Sequence, residues 1–441
     1  MSAHCLAGPL LTDLYEITMA AGYWSHDIQD RATFSVFVRN PEKKRNFFVA
    51  AGLETLLDEL EAYHFSPADI DYLEGLNLFE AGFLDHLSKL TFSGDIHALP
   101  EGTLFFPEEP VLEISAPVIE AQLVETLVLN TLGVASLIAT KAARCVHAAQ
   151  KRPLVDFALR RTHGADAGDQ VARSTYIAGF AATSNVRAGQ RFGIPVAGTM
   201  AHSFVTAFPT ELDAFRAYAA TFPNDTIFLI DTFDTLTGAR NAARVALEMQ
   251  TRGHTAIGVR LDSGDLAALS LAVRRILDEA GLPAMKIYAS SSFDEIKIDD
   301  ILRRQAPIDA FGVGTKVGVS ADAPYLDIVY KLARLGSRNV RKLSPGKASL
   351  AGKKQVFRRL ASDGRYGEDI IGCRDETLTG AEPLLEAFME AGRRSRPVAV
   401  LGDIRRRFAN QFRLLAPRYK TIHRHEAYPV RISTRLKGLQ P

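Results

Sequence analysis

Cysteine is scarce: Cys5, Cys145 and Cys373 are the only three in 441 residues, and none sits at C-x-x-C spacing. That argues against a disulfide scaffold or a structural zinc knuckle and fits a reducing compartment. Excess charge of either sign is missing as well, since 52 lysines and arginines against 51 acids leave a net +1. Such a balance gives no electrostatic basis for nucleic acid or an anionic membrane as the main partner, so any anion site must be local. The opening "MSAHCLAGPLL" has neither the basic start nor the sustained apolar run of a signal peptide. The most apolar long stretch, "APVIEAQLVETLVLNTLG", is broken by Glu120, Gln122 and Glu125, which reads as an amphipathic helix and not a membrane span. Internal repeats and low-complexity segments are absent. A cytoplasmic protein is expected.

What is present is a large apolar fraction, 47%, in a chain too long for one core of ordinary size. Between about 154 and 332, β-rich runs alternate with helical patterns. The runs are "LVDFAL", "GFAATS", "VAGTM", "IFLID", "IGVRL", "KIYAS", "DAFGVG" and "DIVYKL". In the helical segment after "RLDSGD", Leu266, Leu269, Ala272, Val273 and Ile276 recur at helical spacing, with Gly281 placed as the glycine after a C-cap. Alternation at this period implies a parallel sheet, and about eight units favour a closed (β/α) barrel. The pattern alone is also compatible with a doubly wound sheet. Outside this block "RATFSVFVRN" and "LTFSGDIHAL" read as strands among helices, and "RKLSPGKASLAGKKQVFRRL" reads as a hairpin with its turn near "LAGK". A charged, helical tail is expected after it, with Arg405, Arg406 and Arg407 on one solvated face. The expected division is 1–125, 126–335 and 336–441.

In a (β/α) barrel the loops after the strands form the active-site face. Here the strands run into "LRRTHGADAG", "GTMAHS", "DTFDT", "RLDSGD", "SSSFDE" and "GVGTKVG", which gather arginines, acids, hydroxyls, glycines and a histidine on one rim. Gly312 and Gly314 could let backbone N–H groups face a phosphate, with Thr315 beside them. Their G-x-G-x-x-x-G spacing does not fit a dinucleotide fingerprint, and "LSPGKAS" lacks the upstream glycine and loop length of a Walker A motif. Asp262 and Asp265 could hold ribose hydroxyls or Mg²⁺. Asp265 could equally cap the helix that starts at Leu266.

Taken together and in order, "LLTDLYEITMAAGYW", "DFALRRTHG", "GTMAHSFVTAF", "LIDTFDT", "GVRLDSGDL", "FGVGTKV" and "KLSPGK" resemble the nicotinate phosphoribosyltransferase family. The resemblance spans residues 10 to about 357. It implies an α/β-barrel phosphoribosyltransferase domain plus a split α/β domain built from both chain ends, assembled as a homodimer. It also implies transfer of the phosphoribosyl group of 5-phosphoribosyl 1-diphosphate to nicotinate, giving nicotinate mononucleotide and diphosphate. Mg²⁺ would assist, and ATP hydrolysis would be coupled through a phosphohistidine.

Residue by residue, the resemblance implies that Tyr15 stacks on the pyridine ring from the neighbouring subunit, with Phe157 as the opposing aromatic. From the sequence alone either could be core, Tyr15 on a helix burying Leu11, Leu14 and Ile17. Arg160 and Arg260 directly follow strands and suit a carboxylate or phosphate, because a guanidinium pairs with either in a bidentate way. Each could instead close a salt bridge across the rim, as could Arg161. Thr199 and Ser184 are carried over as substrate contacts. His202 matches the histidine that accepts the phosphoryl group, and Asp231 the carboxylate that orients it. Asp262 is the expected metal ligand.

Other readings diverge at particular residues. In nicotinamide phosphoribosyltransferases an aspartate faces the ring amide, whereas the matching segment here, "ATSNVRAG" around Ser184, is uncharged and would not repel a carboxylate. Quinolinate phosphoribosyltransferases need a denser basic cluster. A non-catalytic sugar-phosphate-binding barrel would have no reason to keep His202 with Asp231. A barrel aldolase needs a strand-end lysine: Lys286 begins its run, which leaves Lys316.

Overall fold

The computed structural model describes residues 7–39, 45–344 and 347–440, so Cys5 and the Pro345–Gly346 pair of "KLSPGK" lie outside the described residues. Two compact units emerge, 141–324 and the combination of 1–140 with 325–441.

The 141–324 unit is the barrel. Six parallel strands hydrogen-bond in the order Ala182–Thr183, Leu154–Asp156, Ala310–Val313, Lys286–Ser290, Gly258–Leu261 and Ile227–Leu229. A parallel bridge from Thr183 to Val196 adds a further segment at one edge. That segment then reaches Arg260 through Thr199 and Thr232 through His202, joining the other side of the sheet. Side chains thus complete the ring where the ladder stops. Helices Thr235–Gln250 and Leu266–Glu279 separate successive strands, the second burying Leu266, Ala267, Ser270, Val273 and Leu277. Its expected Leu269, Ala272 and Ile276 are half-buried, and Gly281 follows the C-cap with φ +75°. Among buried polar groups, Lys141 meets Glu295 at 2.5 Å and Asp322 at 2.6 Å, while Arg144 meets Glu295 at 2.8 Å.

The last of the eight expected barrel runs, "DIVYKL", belongs elsewhere. It forms Ile328–Leu335, which pairs antiparallel with Arg31–Val38 in the other unit. A β-rich run carries its tendency to pair but not the identity of its partner, so periodicity assigned it to the preceding series. Of the eight, "VAGTM" contributes only the Val196 bridge. The units therefore meet the chain at 140/141 and 324/325, where the sequence division had 125 and 335.

The other unit shows how two chain ends make one domain. In its seven-stranded sheet, Arg31–Val38 lies between Ile328–Leu335 and Leu112–Pro117, and Asp95–Ala98 pairs with Glu386–Glu390. Phe34 and Tyr330 stack with centroids 4.5 Å apart across the first seam, a contact worth about 1 kcal/mol beyond its area. The expected hairpin is displaced: "LAGK" precedes Lys354–Leu360, whose partner is the following strand Tyr366–Cys373. The turn falls in "ASDGR", where Gly364 supplies a φ of +76°. The tail is less helical than expected, since Val430–Ile432 joins that second sheet after helix Leu401–Leu414. Helix Glu125–Ala148 is long and apolar enough to cross a membrane, yet 78% of its most apolar window is buried within the protein.

Candidate active site

The barrel rim is built from strand ends that hold one another. Asp156 closes strand Leu154–Asp156, is buried, and accepts from Thr183 Oγ1 at 2.7 Å and the Ala158 N–H at 2.8 Å. Burial raises its carboxyl pKa, and these two donors oppose the shift. The Ser184 N–H donates to the Asp156 carbonyl at 2.8 Å, which fixes the loop after the next strand. Phe157 is half-buried and joins the opposite neighbour, donating its N–H to the Val313 carbonyl at 2.8 Å. A Cβ on Gly312 would come within 2.4 Å of the Phe157 ring, and one on Gly318 within 2.6 Å of Ala158 Cβ. The first and last glycines of "GVGTKVG" are thereby explained by close packing on the Phe157–Ala158 segment. Gly314 precedes the short helix Thr315–Gly318 with φ −117° and ψ −112°, leaving Thr315 at its first position.

Past Phe157 the chain turns through Leu159–Arg161, where both arginines are exposed and neither guanidinium has a side-chain partner among the described residues. Arg260, on strand Gly258–Leu261, is half-buried and donates from Nη1 to Thr199 Oγ1. Its Nε is buried with no acceptor. Burial lowers the Arg260 pKa and the Arg160 charge lowers it further, against Asp262 and Asp231. The unfilled Arg260 N–H thus lies in the field of a second cation, Arg160. Tyr218 also feels the Arg260 charge, and its phenol is pushed up chiefly by burial.

The acids and the histidine form a second group. Asp231 accepts at Oδ2 from the Asp262 N–H at 2.9 Å and from Ser263 Oγ at 2.6 Å, while its buried Oδ1 has no partner. Asp262 Oδ1 accepts from Ser290 Oγ, and Oδ2 lies 3.9 Å from His202 Nε2. His202 Nδ1 is 3.1 Å from Thr232 Oγ1. The expected Asp231–His202 pair is therefore replaced. Asp231 is engaged by the 262–263 turn, and the imidazole faces Thr232 on one nitrogen and Asp262 on the other. Asp265 caps helix Leu266–Glu279 and pairs with Arg304 at 2.8 Å, away from this cluster.

Oxygen donors of this kind suit a hard divalent cation. Asp231 Oδ1, which has no partner, and Asp262 Oδ2, opposite His202, are oxygens of the type Mg²⁺ takes, although no group of three or more His, Cys, Asp or Glu able to hold a metal ion occurs among the described residues. Two sequence alternatives lose support. Lys316 is held by Asp294 at 2.7 Å, and Lys286 by Asp309 at 3.6 Å. Near Ser184, the acid that contacts Asn185 is Asp169, which is paired with Arg187 at 2.9 Å.

Tyr15 stands in the other unit, on helix Leu14–Ser25. That helix buries Glu16, Ile17 and Ala20 and exposes Leu14, Tyr15 and Met19, so Ile17 is inside as expected while Leu11 and Leu14 are not. Glu16 is inside because Thr12 and Thr126 donate to its carboxylate. Asp156, Thr183, Thr232 and Ser290 are further site residues that sequence reasoning did not select. All four lie in or beside motifs singled out on the rim, but nothing in residue type marks a supporting hydroxyl.

Comparison with known proteins finds relatives along nearly the whole chain. Family models match three stretches: the nicotinate phosphoribosyltransferase N-terminal domain over 10–133, the nicotinate phosphoribosyltransferase family over 153–342, and its C-terminal domain over 377–440. A nicotinate phosphoribosyltransferase of Mycobacterium tuberculosis is 46% identical, covering 98% of this chain and 93% of the relative. The Bacillus subtilis enzyme of that name is 39% identical over 96% of this chain and 92% of its own. Human nicotinic acid phosphoribosyltransferase superposes with a TM-score of 0.88 at 30% identity, covering 97% of this chain and 99% of the other.

Proposed function

The chain belongs to the nicotinate phosphoribosyltransferase family, and from that premise we propose how its barrel rim does the chemistry. The reaction transfers the phosphoribosyl group of 5-phosphoribosyl 1-diphosphate to nicotinate, in the biosynthesis of NAD. The observation that carries the site assignment is the buried, unpaired Nε of Arg260 beside Arg160. A planar carboxylate satisfies that N–H and the facing charges together, which an amide cannot do. The uncharged Ser184 loop, with Asp169 already paired, supports the same choice.

Phe157 offers one stacking face for the pyridine ring. The exposed Tyr15 offers the other from a partner subunit, so the working unit is a homodimer. The first-turn N–H groups at Thr315 receive the 5-phosphate. Asp262 holds the ribose hydroxyls, and Asp231 steadies the turn that presents it. Mg²⁺, held by Asp262 with Asp231 beside it, would stabilise the diphosphate leaving group.

ATP enters as a co-substrate on the same rim. With Nδ1 held by Thr232, His202 Nε2 is the nitrogen free to attack the γ-phosphorus, and ADP leaves. Water later takes the phosphoryl group, releasing phosphate. Coupling of this kind favours tight binding of the phosphoribosyl substrate. The setting is cytoplasmic, with small molecules rather than nucleic acid or membrane as partners.

The test is product formation with nicotinate, nicotinamide and quinolinate, each with and without ATP. Nicotinate mononucleotide formation, faster with ATP, is expected. Preference for nicotinamide or quinolinate would overturn the reading of Arg260 and Ser184.

A further inference from the structure

The strand Lys286–Ser290 leaves the barrel through two residues that L-amino acids rarely form. Ser291 has φ +129° and Ser292 φ +48°, and neither is glycine. Each such residue costs of the order of 1–3 kcal/mol and persists where neighbours over-determine it. The neighbour here is Lys297. Its Nζ donates to the Ser291 carbonyl at 2.6 Å and sits 4.9 Å from the centroid of the Phe293 ring, directly after the turn. Its own helix is fixed by Asp294, which accepts from the Lys297 N–H at 2.9 Å. The other Asp294 oxygen is taken by Lys316 at 2.7 Å, so Lys297 is left to the turn.

The turn matters because of the residue before it. Ser290 Oγ donates to Asp262 Oδ1, and the other Asp262 oxygen lies 3.9 Å from His202 Nε2. Ser290 and Ser291 are consecutive, so the turn bears directly on the residue whose side chain holds Asp262. We propose that Lys297 is a positioning residue for phosphoribosyl transfer: it locks the left-handed Ser291–Ser292 turn so that Ser290 holds Asp262 in place toward the phosphoribosyl substrate and His202. Lys297 acts through the Ser291 carbonyl, with its ammonium in the field of Asp262 as well. The inference rests on the functional reading above.

The experiment compares Lys297→Met, Lys297→Arg, Ser292→Gly and the double variant Lys297→Met/Ser292→Gly in the full-length enzyme. Methionine keeps the stem over Phe293 and loses the charge, arginine can still reach the carbonyl, and glycine adopts φ +48° without cost. Lys297→Met is expected to raise KM for 5-phosphoribosyl 1-diphosphate by about tenfold, with KM for nicotinate and Tm nearly unchanged. Lys297→Arg should recover most of this. Ser292→Gly alone should behave as wild type, and in the double variant it should bring the loss to within about twofold. Hydrogen exchange at 288–294 needs no activity, and it should quicken in Lys297→Met and slow again in the double variant. If Lys297→Met changes both substrates' KM equally with a fall in Tm, or if Ser292→Gly rescues nothing, the positioning role is wrong. If exchange follows the expected pattern while wild type makes no nicotinate mononucleotide, the turn lock stands and it is the functional reading that fails.

Discussion

Arg260 spends one guanidinium nitrogen on the hydroxyl of Thr199 and keeps another, Nε, buried with no acceptor. A buried N–H without a partner costs about 1–3 kcal/mol, which an acceptor on a bound ligand would offset. Arg260→Lys should keep the charge and lose the fork. We expect kcat/KM for nicotinate to fall about 10- to 100-fold, with Tm little changed. Steady-state kinetics on folded protein checks this, and unchanged kinetics would make Arg260 a structural rim residue.

Thr199→Val keeps shape while removing the hydroxyl that accepts from Arg260. The guanidinium then loses its anchor. KM for nicotinate should rise several-fold, by less than in Arg260→Lys, and a larger effect on 5-phosphoribosyl 1-diphosphate than on nicotinate would contradict the assignment.

If Tyr15 completes a partner's site, two inactive proteins can repair each other. Mixing Tyr15→Ala with Arg260→Ala should restore activity, because one site of a mixed dimer keeps both residues. Subunit exchange is verified separately by native mass spectrometry. Exchange without recovery would confine Tyr15 to its own subunit or to a packing role.

Asp265 separates capping from metal binding. It accepts from the N–H groups of Ala267 and Ala268 and pairs with Arg304. Asp265→Ala should cost about 1 kcal/mol of stability and leave the Mg²⁺ dependence of the rate unaltered. Asp262→Asn should instead weaken activity at all Mg²⁺ concentrations with little loss of Tm.

The rim is legible in the sequence because strand ends in a parallel barrel share one face, which gathers short motifs that are far apart along the chain. Arg160, Arg260, His202 and Asp262 came from that rule together with family resemblance. The pairing of acids with the histidine did not, because Asp231 and Asp262 follow neighbouring strands and residue type does not say which of them faces the imidazole. "DIVYKL" was misassigned for a similar reason: β tendency is local, whereas the partner strand Arg31–Val38 lies nearly 300 residues away. Helix Leu14–Ser25 keeps Ile17 inside but turns Leu14 out, because hydroxyls of Thr12 and Thr126 make burial of Glu16 tolerable. Hydropathy alone cannot register such compensation.

The central claim is that His202 carries the phosphoryl group of ATP. Wild-type protein incubated with γ-labelled ATP should acquire a label that is lost in acid and kept in base, as an N-phosphoryl bond requires. His202→Asn should acquire none, still bind nicotinate, and turn over slowly without stimulation by ATP. Full ATP stimulation or undiminished labelling in His202→Asn would contradict the account.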